Sequence, residues 1–96
     1  MHARVVTVQI QPGKTDEAIG IYRDVVSAGK AQKGFKGALL LTDPNTGKGL
    51  SVTTWETEAD MIATETSGWW QEQIAKFGEA LAGPPVREHY AVSVQV

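Results

Sequence analysis

The residues from Gly49 to Leu81 constrain the fold more than any other part of this sequence. They open with Leu50, Val52 and Thr54 at alternate positions, the period-2 pattern of a β-strand. Thr57 then places a hydroxyl where a helix needs an N-cap, with Asp60 three residues on, which is close to a capping box and suits the positive end of a helix dipole. The stretch therefore predicts a strand that leads directly into a capped helix.

A second helical segment is predicted after a break at Ser67-Gly68. Its apolar residues step by four, three and four positions, so they form one stripe along a helix: Trp70, Ile74, Phe77 and Leu81. Gly83-Pro84-Pro85 is expected to end it. An aromatic surface of this width needs a partner, and a sheet is the expected one. We expect any bound small molecule to lie between this helix and the sheet.

The first part of the chain predicts a strand, a helix and a hairpin. Alternation predicts strand 1 from residue 4 to 11, with Val6, Val8 and Ile10 on one face. Apolar rows predict helix 1 from about residue 16 to 33, with Thr15 as its N-cap and Gly34 just past its end. Phe35–Thr42 is strand 2, and the turn residues 43–48 join it to strand 3 as an antiparallel hairpin.

The last segment, Val86 to Val96, alternates and predicts strand 4, with Tyr90, Val92, Val94 and Val96 on one face. The element order is therefore βαββαβ. Right-handed crossovers place both helices of such a chain on one face of a four-stranded antiparallel sheet. The predicted fold class is α+β, ferredoxin-like.

Composition excludes several classes of protein. A chain of 96 residues with 42% hydrophobic and 21% charged residues predicts one folded domain, residues 1–96. A net charge of −2 without runs of like charge gives no electrostatic footprint for nucleic acid. No apolar run approaches the ~20 residues of a membrane span, and no signal peptide is evident. With no cysteine, disulfides and thiolate sites are excluded, and a cytoplasmic location is expected.

The sheet face that the helices leave open predicts a second subunit. We expect few charges there and many small or apolar side chains, which suits burial against the same face of another copy better than contact with water. The alternative is a modestly apolar open face on a monomer. The residues assigned to this face are Val5, Thr7, Gln9, Ala38, Leu40, Ser51, Thr53, Trp55, His89, Ala91 and Ser93.

Three segments carry a family pattern: the opening strand VVTVQIQPGKTDE, then GFKGALLL, and then SVTTWETEADMIA, in which a strand ends in Trp-Glu and turns into a helix. In these segments the chain resembles the antibiotic biosynthesis monooxygenase-like family of dimeric α/β barrels. The resemblance covers nearly the whole chain and implies a homodimer whose sheets form a shared barrel. It also implies a kinship with cofactor-independent oxygenases of polycyclic phenols, quinol oxidases and haem-degrading enzymes.

The chain departs from two of those activities. Haem-degrading relatives carry an Asn, a Trp and a His where a hand alignment places Val6, Thr64 and Ile74. Valine cannot donate a hydrogen bond to bound oxygen and isoleucine cannot ligate iron, so haem degradation is disfavoured. Quinol oxidases of the family tend to have a histidine in the loop that here reads Thr66-Ser67-Gly68-Trp69.

Seven residues are the candidate lining of a ligand cavity: Tyr22, Trp69, Trp70, Ile74, Phe77, Val6 and Val8. Trp69 is a candidate for stacking on a flat aromatic ligand or for a subunit interface. Trp70 and Tyr22 fit apolar helix rows, and a core role is favoured for both over contact with a ligand. His89 is interpreted as a hydrogen-bonded structural residue that faces the other subunit. Two isolated histidines without ligand spacing predict no metal site.

Two hypotheses follow for the function. The first is a small cofactor-independent monooxygenase or oxidoreductase that acts on an aromatic or quinol-like molecule, in which the protein supplies desolvation, orientation and a hydrogen bond to the substrate anion. Its catalytic residues are not identified, because no obvious base faces the predicted cavity. The second is a non-catalytic dimer of the same fold that binds a small apolar ligand or stabilises an assembly. No cofactor is expected in either case.

Overall fold

The computed structural model describes all 96 residues and confirms the α+β ferredoxin-like fold. Four antiparallel strands form one sheet in the order β2-β3-β1-β4. The elements are β1 His2–Gln9, α1 Thr15–Gly29, β2 Phe35–Thr42, β3 Lys48–Trp55, α2 Glu58–Thr66, α3 Trp69–Ala75, a short 3₁₀ helix Gly78–Ala80, and β4 Val86–Ala91. None of the helices combines the length and apolarity that a membrane crossing requires.

Strand register defines the two faces of the sheet, since directly paired residues point to the same side. Val6 pairs with Ser51 and with Arg87, and Ser51 pairs with Leu40. This row faces the helices. Its neighbouring row, on the opposite side, is Leu39, Val52, Val5 and Glu88. We call the first side the covered face and the second the open face.

The predicted assignment of side chains to these faces was right for β1 and wrong for the other three strands. Leu40, Ser51, Thr53, Trp55 and His89 lie on the covered face, because they share rows with Arg4 and Val6 or pack beneath the helices. Alternation divides each strand into two sets of residues but does not say which set meets the helices. The residues of β2–β4 that the open face presents instead are Leu39, Leu41, Leu50, Val52, Thr54, Val86, Glu88 and Tyr90.

A bulge near the start of β2 places one more aromatic ring under the helices. The register of β2 on β3 shifts between Phe35 and Gly37, so Phe35 pairs with Trp55 rather than following the alternation of the rest of the strand. The two rings meet edge to face with centroids 5.5 Å apart. Trp55 is almost completely buried there.

The predicted start of α2 is confirmed. The hydroxyl of Thr57 accepts a hydrogen bond from the backbone N–H of Asp60 at 3.0 Å, which satisfies one of the free donors of the first turn. The break at Ser67-Gly68 is also confirmed, with Gly68 in the left-handed region at φ 85°. The following helix is shorter than predicted. It ends at Ala75, and Gly78 (φ 50°) lies in the 3₁₀ turn beyond it.

Three other boundaries differ from the prediction. α1 ends at Gly29 rather than near residue 33, because the chain tightens into i→i+3 turns over residues 28–32. Thr15 does not cap this helix: Lys14 is the N-cap and makes no side-chain cap bond. β4 ends at Ala91 rather than Val96: its ladder with β1 ends at the pair of His2 and Ala91, and beyond it the backbone N–H of Val92 donates to the Met1 carbonyl oxygen at 3.0 Å.

The interior is small and lies between the helices and the covered face. Ile10 and Ala80 are buried together with Ala18 of α1, and Phe77 and Leu81 pack against them. Ile10 and Leu81 also form an isolated bridge, which ties the end of β1 to the segment after the 3₁₀ helix. This cluster closes one end of the space that holds the candidate site.

Candidate functional site

A cavity of about 70 Å³ lies between the helix layer and the covered face of the sheet. Its walls are mainly apolar, and the sheet side and the helix side both contribute. All seven residues predicted from the sequence line this one cavity: Tyr22, Trp69, Trp70, Ile74, Phe77, Val6 and Val8. The structure therefore brings the predicted set together, whereas binding by these residues stays a prediction.

The two adjacent tryptophans form the aromatic part of the wall that comes from α3. Both begin the helix directly after Gly68 and both remain partly exposed. The indole of Trp69 reaches across to α1, where a Cβ on Gly29 would lie 3.5 Å from its Cη2 atom. Trp70 points toward β1 and β4 and contacts charged side chains there. The pair spans the cavity from one helix to the sheet.

The size of the cavity limits what it can hold without rearrangement. An engineered apolar protein cavity of ~150 Å³ binds benzene, and a single water needs at least ~10–15 Å³. At about 70 Å³ the present cavity has room for several waters but not for an aromatic ring. A ring-sized guest therefore requires side chains of the cavity wall to move. Trp69 and Trp70 lie on α3, which has seven residues and is the shortest of the α-helices.

Tyr22 places a phenol at the sheet side of the cavity. Its hydroxyl lies 2.9 Å from the Ser51 hydroxyl and donates to the Leu39 carbonyl oxygen at 3.3 Å. Burial raises the pKa of Tyr22, and the hydrogen bond with the Ser51 hydroxyl offsets that rise only in part. The group is therefore a neutral hydrogen-bonding phenol at neutral pH and not a base.

Arg4 is the charged residue of the cavity lining, and it is 3% exposed. Its Nη1 atom donates to the hydroxyl of Thr64 at 2.8 Å, to a carboxylate oxygen of Glu65 at 3.1 Å and to the Met61 carbonyl at 3.4 Å. Burial lowers the pKa of Arg4, and the hydrogen bond to Glu65 raises it. The guanidinium remains charged, as arginine does in proteins.

Glu65 gathers three basic side chains around one carboxylate that is 8% exposed. Besides Arg4, it lies 3.4 Å from Nε of Arg87 and 2.7 Å from Nε2 of His89. The sequence interpretation placed His89 against another subunit, which is wrong: it lies on the covered face and contacts α2. Its interpretation as a hydrogen-bonded histidine is confirmed.

Both guanidinium groups also stack on tryptophan. Arg87 lies 4.6 Å and Arg4 5.8 Å from the centroid of the Trp70 ring, while Arg4 lies 5.4 Å from that of Trp55. Such cation–π contacts contribute about 0.5–2 kcal/mol each, the larger values when water is excluded. Trp70 is thus both a wall of the cavity and a packing surface for the charge cluster.

Sequence reasoning missed Arg4, Glu65 and Arg87 as parts of the site. The signal for Arg4 was available, since Arg4 alternates in phase with Val6 and Val8, which were already assigned to the cavity side. A charged side chain among residues that face the cavity is unusual and requires a buried partner. Nothing in the sequence identified Glu65 as that partner, because the contact depends on where α2 crosses β1.

The comparisons with known proteins agree with this architecture. The family model for antibiotic biosynthesis monooxygenases matches residues 1–82. Among solved structures, a proposed antibiotic biosynthesis monooxygenase from Bordetella bronchiseptica superposes with a TM-score of 0.82 at 21% identity, covering 97% of both chains. A second proposed member, from Nitrosomonas europaea, gives a TM-score of 0.79 at 14% identity, covering 98% of this chain and 100% of the other.

The haem degrader MhuD from Mycobacterium tuberculosis, solved with two haems in its active site, has a TM-score of 0.77 and 18% identity, with 100% and 99% of the chains covered. Likenesses at these identities establish the fold and not the reaction. A comparison with curated proteins gives no match. On the family match, which covers most of its length, the chain belongs to the antibiotic biosynthesis monooxygenase family.

Proposed function

We propose that this protein is a small cofactor-independent monooxygenase or related oxidoreductase that acts on an aromatic or quinol-like molecule. The observation that carries the proposal is the aromatic-walled cavity between helices and sheet, in a chain of this family. Trp69 and Trp70 offer flat surfaces for an aromatic ring, and stacking adds about 0.5–1.5 kcal/mol beyond area burial. Tyr22 and Ser51 add hydroxyl groups at the sheet side.

The substrate supplies all the electrons in this reaction. An activated ring CH₂ group reacts with O₂ to give a C=O group and water, so atoms and electrons balance without an added reductant. The protein contributes what a dry, shaped site can contribute: it excludes water, holds the ring and stabilises the deprotonated form. The mainly apolar lining suits the first two of these roles.

Haem degradation is less well supported. Val6 and Ile74 line the cavity, and Thr64 is buried beside it in hydrogen bonds with Arg4 and Met61. These are the positions at which haem-degrading relatives carry Asn, His and Trp, and none of the three can take over iron ligation or oxygen contact. No histidine lines the cavity.

A homodimer is part of the proposal. The open face exposes apolar side chains to water, with Leu39 54% and Leu41 47% exposed. Val86 and Tyr90 at the other edge are exposed to a similar degree. A second copy seated on this face would remove that apolar surface from water.

Oxygen consumption with anthrones and hydroxyquinols tests the catalytic proposal. We expect protein-dependent uptake of one O₂ per substrate, with an about two- to tenfold loss in Trp69→Ala, as the loss of one stacking contact predicts. Trp69→Phe keeps an aromatic surface and should retain most of the activity. Tyr90→Phe, on the open face, is the control for unrelated changes. Absence of protein-dependent uptake across the panel would reject catalysis.

One observation favours the second candidate, a non-catalytic ligand-binding protein. The cavity lining contains neither a carboxylate nor an imidazole that could serve as a general base. Binding of the same compounds, followed by tryptophan fluorescence, with no oxygen uptake would support this candidate. Uptake that depends on Trp69 would exclude it.

A further inference from the structure

Arg4 carries a positive charge at the inner wall of an otherwise apolar cavity. The side chain is 3% exposed, so the ion has been removed almost entirely from water. Burying a charge is costly unless hydrogen bonds and opposite charge compensate for it. The groups around Arg4 must therefore compensate for its buried charge.

Only one of the three guanidinium nitrogens of Arg4 is used within the chain. Nη1 makes all the hydrogen bonds, to Thr64, Glu65 and Met61, whereas Nε and Nη2 make none. No fully buried side-chain nitrogen or oxygen lacks a partner, so these two atoms must reach open space. The open space that Arg4 borders is the cavity.

Nε and Nη2 form the side edge of a guanidinium, where two parallel N–H donors match the two oxygens of a carboxylate or cradle a single oxyanion. The guanidinium group also lies over two aromatic rings, with its Cζ atom 5.4 Å from the centroid of Trp55 and 5.8 Å from that of Trp70. The edge is thus held in place by stacking, while its donors remain free. An arrangement of this kind is pre-organised for an anion.

The local charge balance favours the same kind of guest. Arg4 and Arg87 carry two positive charges against the single carboxylate of Glu65, and His89 adds no negative charge. One negative charge beside Arg4 would balance the cluster. In an apolar cavity such an attraction is stronger than it would be in water.

We infer that the cavity takes its aromatic guest as an oxyanion, a phenolate, enolate or aryl carboxylate, held by Nε and Nη2 of Arg4. This rests on the proposed function only for the aromatic character of the guest. The ring lies against Trp69 and Trp70, and the charged oxygen points to β1. Because the cation lowers the pKa of a bound phenol or enol, the cavity can hold the deprotonated, oxygen-reactive form without a general base in its lining.

para-Nitrophenol is a suitable probe, because it has one ring and its ionisation is visible in the absorption spectrum. We expect saturating protein to lower the pKa of the bound probe by at least about one unit, equivalent to tenfold tighter binding of the anion than of the neutral phenol. Arg4→Gln should abolish the shift, and Arg4→Lys should keep part of it. Arg23→Gln, the same change on the exposed side of α1, should leave it intact.

para-Nitroanisole, which cannot ionise, reports whether a variant still forms the cavity, and para-nitrobenzoate separates the two kinds of oxyanion. Tight binding of the benzoate without a shift for the phenol supports an aryl carboxylate as the guest. Equal binding of anionic and neutral probes by the unaltered protein overturns the inference, whether or not Arg4→Gln folds. So does a shift that survives in a folded Arg4→Gln variant. Oxygen uptake is scored separately, so failed catalysis leaves this result standing.

Discussion

The two faces of the sheet depart from the usual distribution of polar and apolar side chains. The covered face, which lies under the helices, holds Arg4, Ser51 and Thr53 among apolar residues such as Val6. The open face presents Leu39 and Leu41, about half of whose surface is exposed. An antiparallel sheet with one solvated side ordinarily keeps polar residues toward water and apolar residues toward the helices.

This departure indicates that each face serves a different purpose. Polar groups under the helices are costly unless they are paired, and here every fully buried side-chain donor and acceptor has a partner. Polar residues kept in such a place are better suited to a guest than to packing. The apolar open face, in contrast, is suited to a large flat partner such as a second sheet.

The largest expected effect comes from removing the Glu65 carboxylate of α2, which contacts Arg4 on the covered face. Glu65→Ala leaves Arg4 buried without an opposite charge, and breaking a buried pair in this way costs about 3–5 kcal/mol. Urea unfolding monitored by tryptophan fluorescence should show this loss. The matched control is Glu58→Ala, whose exposed contact with His2 should change stability by less than about 1 kcal/mol. Similar losses in the two variants would show that the covered face holds no special charge cluster.

The sequence predicted the elements and the fold well because those depend on local signals. The hydroxyl of Thr57 and the flexible Gly68 act within a few residues, and both behave as predicted. The predicted ends of elements were wrong where a contact with a distant part of the chain decides them. β4 pairs with β1 only as far as Ala91, and no pattern within residues 86–96 marks the end of that ladder.

The site was predictable in its aromatic part and not in its charged part. Trp69 and Trp70 stand out in any reading of the sequence, and both line the cavity. The meeting of Arg4 with Glu65 joins residues 61 positions apart and depends on how α2 crosses the sheet. The assignment of side chains to the two sheet faces failed for the same reason. Alternation separates two sets of residues in each strand but does not say which set meets the helices, and the assignment was correct only for the strand of Val6.

The open face provides the second test. Replacing both Leu39 and Leu41 by Lys should weaken a dimer by about a hundredfold, because each half-exposed leucine contributes about 0.75 kcal/mol, and four of them about 3 kcal/mol. Sedimentation across a concentration series measures this. Ala31→Lys, at an exposed turn, is the control. If the unaltered protein sedimented as a single 10.3 kDa species, the apolar open face would not be explained by a dimer.

A smaller effect concerns the stacking that joins the charge cluster to the cavity wall. A double-mutant cycle with Arg87→Met and Trp70→Leu should give a coupling energy of about 0.5–1 kcal/mol in unfolding experiments. The 4.6 Å separation between the Arg87 guanidinium and the Trp70 ring is the basis for this value. Additive losses would mean that the two side chains are neighbours without a specific attraction.

The smallest effect is a loss of stability at high pH, which is absent at neutral pH. It distinguishes the two tyrosines, which lie on opposite sides of the sheet. Burial raises the pKa of Tyr22, whereas the pKa of Tyr90 is raised by its hydrogen bond to the Glu88 carboxylate. A raised folded-state pKa means that the stabilising contribution is complete below the ordinary value of 10.0 and is lost as the pH rises through the folded value.

Stability should therefore fall above pH ~10, and Tyr22→Phe should reduce that fall. Tyrosinate absorbance is best recorded in the Leu39→Lys, Leu41→Lys variant, in which the open face stays uncovered. The titration should show two ionisation steps, both above the ordinary tyrosine pKa of 10.0. Glu88→Gln is expected to return the step of Tyr90 toward its ordinary position and to leave the step of Tyr22 unchanged, because burial does not depend on that carboxylate. If Glu88→Gln moved both steps together, the two tyrosines would share one environment, and the contrast between covered and open faces would not hold.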